Sequence, residues 1–182
     1  MTTNLDGWTA GTWEIDPAHS GLQFQIRHLA ISKVRGSFER FSGEIVTGET
    51  PEQSRVRAEI ETDSVTTGNA DRDAHLRGGD FFDVEAHPRA TFVSTAVRPS
   101  GDGFLVEGEL TIKGVTKPIA IEAEFGGIAD DAYGSRRLGL EGELTLDRRE
   151  FELGFNVPDA TGGLVLGNDV KLSLEIQAVL QK

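Results

Sequence analysis

The chain has 182 residues, with 18 Lys and Arg against 30 Asp and Glu, a formal net charge of −12 and no cysteine. The acidic balance argues against a nucleic-acid backbone as partner, which calls for a basic stripe, and the missing cysteine removes disulfides, thiolate nucleophiles and Cys-ligated metal or iron–sulfur sites. With 37% hydrophobic and 26% charged residues the chain reads as one globular domain with a sizeable core, and no apolar run approaches the ~20 residues that span a bilayer.

Residues 1–12 read as an N-terminal extension and 13–182 as a single β-domain. The first residues carry no basic stretch followed by an apolar core, so they are not read as a secretory signal, and a cytoplasmic location is expected. From there the chain alternates with period two. Leu22, Phe24 and Ile26 share a face, with Gln23, Gln25 and Arg27 opposite. Val34, Gly36 and Phe38 follow, then Phe41, Gly43 and Ile45 after a possible kink, then Val56, Ala58 and Ile60. Each run is the mark of a strand with one dry and one wet face.

The segment Gly68–Gly79 breaks this pattern. Thr67 or Asn69 is placed to cap a short helix, Asp71 and Asp73 lie near its positive end, Asp73 and Arg77 are spaced i,i+4, and Gly78–Gly79 ends it. Phe81 and Phe82 are adjacent, so a regular strand would not point both inward, and a plug or lid at a barrel mouth is expected. Alternation resumes at Ala90 and Phe92, and continues through Val106, Gly108, Leu110 and Ile112. Ile119, Ile121, Ala123 and Phe125 form the next run. Lys113–Pro118 reads as a hairpin turn with Pro118 outside the central ladder. Two long runs close the chain, Leu138, Leu140, Gly142, Leu144 and Leu146, then Val170, Leu172, Leu174, Ile176 and Ala178.

Eight or nine strands with no crossover helices between them exclude a parallel α/β fold. An antiparallel barrel or sandwich is left, and the long final strands favour a closed, coiled sheet. The expected fold is all-β, one antiparallel barrel of eight or nine strands with residues Asn69 to Arg77 as a short helix. Gly36, Gly43, Gly108 and Gly142 fall on inward faces. They either leave room for a guest or relieve crowding where strands coil.

Catalytic constellations are sparse. His19, His28, His75 and His87 are widely spaced, and the sequence holds no nucleophile elbow and no phosphate loop. His75, Asp80, Asp83 and His87 form the one polar group that could gather around a metal or serve a hydrolase or isomerase. A third reading is a structural or protein-interaction module with a filled barrel. Non-catalytic binding is the preferred reading, with no required cofactor and no metal.

Several blocks sit in a distinctive order: Trp13–Glu14–Ile15–Asp16, His19–Ser20 and Phe24; Val34–Arg35–Gly36–Ser37–Phe38; Asn69, Arg72–Asp73, His75–Leu76, Asp80–Phe81–Phe82–Asp83 and Pro88; Leu110 to Pro118; and Arg149–Glu150–Phe151. In order and spacing they resemble the YceI-like family, over about residues 12–180. The resemblance implies an all-β, extended eight-stranded antiparallel β-barrel, lipocalin-like, with a short helical segment near one end, whose apolar channel holds an isoprenoid lipid, either an isoprenoid quinone or a polyprenyl phosphate, for storage or transport. It also implies a homodimer. The expected channel wall is Leu22, Phe24, Ile26, Phe38, Ile45, Phe81, Phe82, Phe92, Leu110, Ile121, Phe125, Leu140 and Leu144. Arg72, His75 and Lys113 are the expected contacts to a polar head.

Overall fold

The computed structural model describes residues 5–182. In chain order it contains β1 (Gly11–Ile15), β2 (Gly21–His28), β3 (Ser32–Phe38), β4 (Phe41–Thr47), β5 (Arg55–Glu61), β6 (Val65–Thr66), α1 (Ala70–Arg77), β7 (Arg89–Ser100), β8 (Gly103–Ile112), β9 (Val115–Asp130), β10 (Arg136–Asp147) and β11 (Leu166–Leu180). All pairings are antiparallel, and β1, β4, β5, β7, β8, β9, β10 and β11 form a ring that β1 closes against β11. This is the expected closed eight-stranded barrel.

The extra strands are continuations. β1 and β2 both lie along β11, Ile15 opposite Ala178 and Gly21 opposite Glu175. A short turn at Pro17–His19 interrupts them, capped by Asp16, whose carboxylate accepts from the Ala18 N–H at 3.0 Å. β3 and β4 are one strand broken at Glu39–Arg40, and β6 resumes β5 after the turn at Thr62–Ser64. Neighbours in the barrel are therefore neighbours in sequence, which keeps loop closures short.

The barrel is tight at one end and splayed at the other. The β9–β10 ladder runs only from Glu122 opposite Glu143 to Asp130 opposite Arg136, so residues 144–147 of β10 pair with β11 alone. Across the gap, β3 meets β6 only at Ser37–Thr66 and Phe38–Val65. Pro118 lies inside β9, opposite Glu109, and not outside the ladder as expected. It is tolerated because β9 has lost its β10 neighbour there and behaves as an edge, where a missing N–H breaks no second ladder.

The tight end is solid. Trp13, Ile15, Ile45, Leu138 and Ala178 are buried together, with Phe41, Phe125 and Leu140 packed on them. Trp13 is 0% exposed and donates from Nε1 to the Thr47 hydroxyl at 2.9 Å, which satisfies its one polar atom. Part of the expected N-terminal extension also belongs to this end. Trp8 packs edge-on against Phe125 and donates to the Gly48 carbonyl at 2.9 Å. A second buried cluster, Phe92, Leu110, Phe151 and Leu153, extends toward the splayed end.

The inward glycines are occupied space. A Cβ on Gly108 would lie 2.5 Å from Phe92 Cζ and from the Val93 carbonyl oxygen, and one on Gly36 would lie 2.8 Å from Phe24 Cε1. Large neighbours lie over the bare backbone, so these glycines serve close packing and do not provide the room for a guest.

Candidate functional site

The splayed end encloses a cavity of about 640 Å³. Splaying the sheet removes strand neighbours, and the surrounding segments close the gap with side chains. β2 and β3 contribute Phe24, Ile26, His28, Ser32, Val34 and Phe38. β10 and β11 contribute Leu146, Leu166, Val170 and Leu172, and Ile112 comes from the end of β8. Thr67, Arg72, His75, Leu76, Phe81 and Phe82 come from α1 and its flanks, and residues Arg148, Phe151, Leu153, Phe155, Val157 and Val165 from the segment between β10 and β11. The interior here is hollow, unlike the filled barrel of the structural-module reading.

α1 is held as a cover by its own polar residues. The Asn69 side chain caps it, accepting from the Arg72 N–H at 3.0 Å. Asp73 faces inward and accepts from the Thr67 N–H at 2.9 Å and from the Thr67 hydroxyl at 2.5 Å. These bonds, with the nearby Arg77 charge, outweigh burial and hold its carboxyl below the usual range. Arg77 donates to the Asp63 and Val65 carbonyls, so the i,i+4 spacing of Asp73 and Arg77 does not become a direct ion pair among the described residues. After the helix the chain folds back on itself. The Phe82 N–H bonds Leu76 O, the Asp83 N–H bonds Gly78 O, and Asp83 takes φ +47°. In this turn, unlike a strand, adjacent side chains share a side, so Phe81 and Phe82 both reach the cavity. Phe82 meets Phe38 edge-on at 5.6 Å and Phe38 meets Phe24 at 5.7 Å. Phe81, Phe155 and His75 form a second group at 5.0–5.4 Å.

Of the expected wall, Phe24, Ile26, Phe38, Phe81 and Phe82 line the cavity. Ile45, Phe125 and Leu140 belong to the solid end. Phe92, Leu110 and Ile121 pack in the second cluster, beside the cavity-lining Phe151 and Leu153. Leu22 and Leu144 are half-buried, opposite Leu174 and Leu172, and do not line the cavity. Val34, Leu146, Val170 and Leu172 sit on runs whose alternation already marked them as inward. Phe155, Val157 and Val165 lie outside any periodic run and left no pattern to read.

Among the expected head contacts, Arg72 and His75 line the cavity. Arg72 is tied to Thr67, donating from Nε to its hydroxyl at 2.7 Å, and His75 Nε2 sits 2.9 Å from Asp80. Lys113 is elsewhere, at the β8–β9 turn, where Nζ straps the hairpin to Gly79 O at 3.0 Å and Glu152 O at 3.3 Å. Among the described residues no three His, Asp or Glu side chains converge as metal ligands, so His75, Asp80, Asp83 and His87 do not assemble into one cluster.

Arg148 is the polar residue that the sequence concealed. It lines the cavity yet is only 4% exposed. Its Nε donates to Gly167 O at 2.8 Å and its Nη1 to the carbonyls of Leu153 and Phe155, while Nη2 is buried without a partner among the described residues. Among the described residues no carboxylate pairs with it, and burial pushes its pKa down. It fastens the 152–167 loop to the barrel.

The pattern of the YceI-like domain matches residues 13–178. The chain belongs to the YceI-like family. Similar relatives include a UPF0312 protein of Pseudomonas aeruginosa, 38% identical over 175 residues, covering 94% of this chain and 88% of that protein. Protein YceI of Salmonella newport is 36% identical over 176 residues, covering 95% and 89%. Among solved structures, the Campylobacter jejuni YCEI protein is 30% identical, covers 86% of this chain and 91% of its own, and superposes with a TM-score of 0.73. A polyisoprenoid binding domain from Saccharophagus degradans implicated in plant cell wall breakdown covers 95% and 100% with a TM-score of 0.72, and at 17% identity it shares the fold. The YceI-like barrel of this chain has no helix, among the described residues, that is long and apolar enough to cross a membrane.

Proposed function

We propose that this protein binds, stores or carries an isoprenoid lipid, without acting on it chemically, with the tail in the cavity of the splayed end. The observation that carries the reading is the apolar cavity of about 640 Å³, a volume within the range of small-molecule sites. Each tail methylene moved there from water contributes about 0.8 kcal/mol, so several isoprene units offset the freedom lost on binding. The polyisoprenoid binding domain with the same fold supports the class of ligand.

A neutral head suits the site better than a phosphate. A phosphate needs several converging cations, whereas Arg72 is committed to Thr67, Lys113 to backbone carbonyls, and His75 to Asp80. A neutral quinone head asks for no such group of cations and suits a chain of net charge −12. We therefore favour an isoprenoid quinone over a polyprenyl phosphate. Cytoplasmic residence and a homodimer complete the reading, to be tested by fractionation and light scattering.

The test is titration with an isoprenoid quinone and, separately, a polyprenyl phosphate, together with mass spectrometry of lipid extracted from protein purified from its own cells. Val170→Trp fills the cavity and is expected to weaken quinone binding at least about tenfold, the equivalent of ~1.4 kcal/mol, while leaving the dichroism spectrum intact. Unchanged affinity in folded V170W, or binding of neither lipid, defeats the proposal. Tighter binding of the phosphate overturns the choice of head, and recovery of a chemically altered lipid overturns the non-catalytic part.

A further inference from the structure

We propose that the rim of this cavity, built on the β2–β3 hairpin, docks on the surface of an anionic lipid bilayer. Three features of that hairpin lead to this reading.

The first is charge. Residues 17–38 contain no Asp or Glu, in a chain that has 30 of them, and they include Arg27, Lys33 and Arg35. Phe24 and Ile26 face the cavity, so the alternating Arg27 is on the outer face of β2. Arg27 stands directly opposite Lys33, and Gln25 opposite Arg35. All three cations are exposed, and among the described residues none is ion-paired. Like charges directly across a ladder repel. The β11 segment alongside adds Lys171, paired to Glu143 at 3.4 Å, and two carboxylates, Asp169 toward the tip and Glu175 opposite Gly21 at the other end of β2.

The second is the hairpin tip. The Ile31 N–H bonds His28 O, and the central residues Leu29 and Ala30 have φ +53° and +57°. Such turns favour Asn and Gly, because a Cβ is strained at positive φ. The sequence instead places Leu and Ala there, followed by an Ile that is 82% exposed. Both turn preference and water contact oppose these residues, so the local fold does not explain them.

The third is continuity with the cavity. The Leu29 N–H donates to Val165 O at 2.7 Å, and the Val165 N–H to Val157 O at 3.0 Å. Of the large apolar side chains exposed among the described residues, Leu29, Ile31, Val157 and Leu164 lie on these two adjoining loops, with only Val93 and Tyr133 elsewhere. His28 and Ser32 at the base of the tip line the cavity, as do Val157 and Val165. Acidic Asp159 in the second loop is occupied by its own turn, accepting from Thr161 and Gly163.

An apolar tip flanked by unpaired cations matches an anionic interface, where side chains such as Ile31 enter the acyl boundary and Arg and Lys meet the head groups. The local cations oppose the repulsion of the −12 chain, whose reach is cut by salt. A tail leaving the bilayer would pass into the cavity without crossing water. The docking surface extends the lipid-binding reading and does not need the cavity to be occupied.

The experiment is sedimentation of the whole protein with vesicles of phosphatidylcholine alone and of phosphatidylcholine mixed with phosphatidylglycerol. The protein is expected to pellet with the mixed vesicles only, and less as salt rises. Arg27→Gln and Lys33→Gln should each lower the affinity about fivefold, and Ile31→Asn should lower it further. L29N/A30G tests the tip separately, because it should raise thermal stability while weakening vesicle binding. V170W should pellet like the unaltered protein even where it no longer binds quinone, which separates this proposal from the cavity reading. Failure to pellet with mixed vesicles, equal pelleting with both, or undiminished pelleting of the folded R27Q, K33Q and I31N proteins overturns it, and binding to neither vesicle leaves a protein partner as the rim's occupant.

Discussion

At Asp16 the turn between β1 and β2 is fastened to β10, two strands away around the tight end. One carboxylate oxygen accepts from the Ala18 N–H, and the other from His19 Nδ1 and Arg137 Nη1, both at 2.8 Å. Arg137 in turn donates from Nε to Asp131 at 2.8 Å. Arg137 first, and His19 second, hold the Asp16 pKa at about 2, below its ordinary 3.8. A carboxylate whose pKa is lower in the folded chain stabilises it above the ordinary value, and that contribution is lost as the pH falls toward 2. Asp16→Asn is expected to cost about 2 kcal/mol at neutral pH, the scale of charged hydrogen bonds. The gap should close as the pH approaches the folded-state value. Urea unfolding of both proteins across that range checks it, and a gap independent of pH would place the cost in packing. The Trp13–Glu14–Ile15–Asp16 block was legible as part of a family pattern, but its partner was not, because Arg137 is far along the chain and reaches Asp16 only once the barrel closes.

At the scale of elements, period two located the strands well because a one-residue slip would turn every apolar side chain to water. The same alternation could not say whether an inward glycine opens space or accepts a neighbour. Gly108 shows the second outcome, with Phe92 lying over it. Gly108→Ala is expected to destabilise the fold by about 1–3 kcal/mol through overpacking, whereas Gly79→Ala, with no atom within 4 Å of the new Cβ, should change stability by less than about 0.5 kcal/mol. Equal effects on urea midpoints would contradict this account of the inward glycines. The helix was legible from Asn69, the acidic first turn and Gly78–Gly79, all of which act locally. The i,i+4 spacing does put the Arg77 charge near Asp73, but the hydrogen bonds of Asp73 go to Thr67, whose N–H and hydroxyl lie close by in the folded chain.

At the scale of the molecule, a solid half and a hollow half share one sheet. If the cavity takes a lipid, a ligand at ~100 times its Kd should add about 2.7 kcal/mol to stability by linkage. The melting temperature of the whole protein should rise accordingly with added quinone. Hydrogen exchange should slow around α1 and the 78–88 turn, and less around Trp13 and Leu138. A uniform change across the barrel would show that the two halves respond as one.

Composition and alternation by themselves determined an all-β antiparallel architecture, with a barrel favoured over a sandwich, its short helix and an apolar interior, because each is set by neighbours close in sequence and by the need to hide one face of every strand. The resemblance in spaced blocks added the family. Which inward residues surround empty space was decided only in three dimensions. The ladders of β9 with β10 and of β3 with β6 stop short, so Phe24, Ile26 and Phe38 face a cavity while the equally apolar Ile45, Phe125 and Leu140 pack into a solid core. A strand's pattern records that a side chain faces inward. Whether another side chain meets it there depends on where distant strands part, which no local pattern encodes.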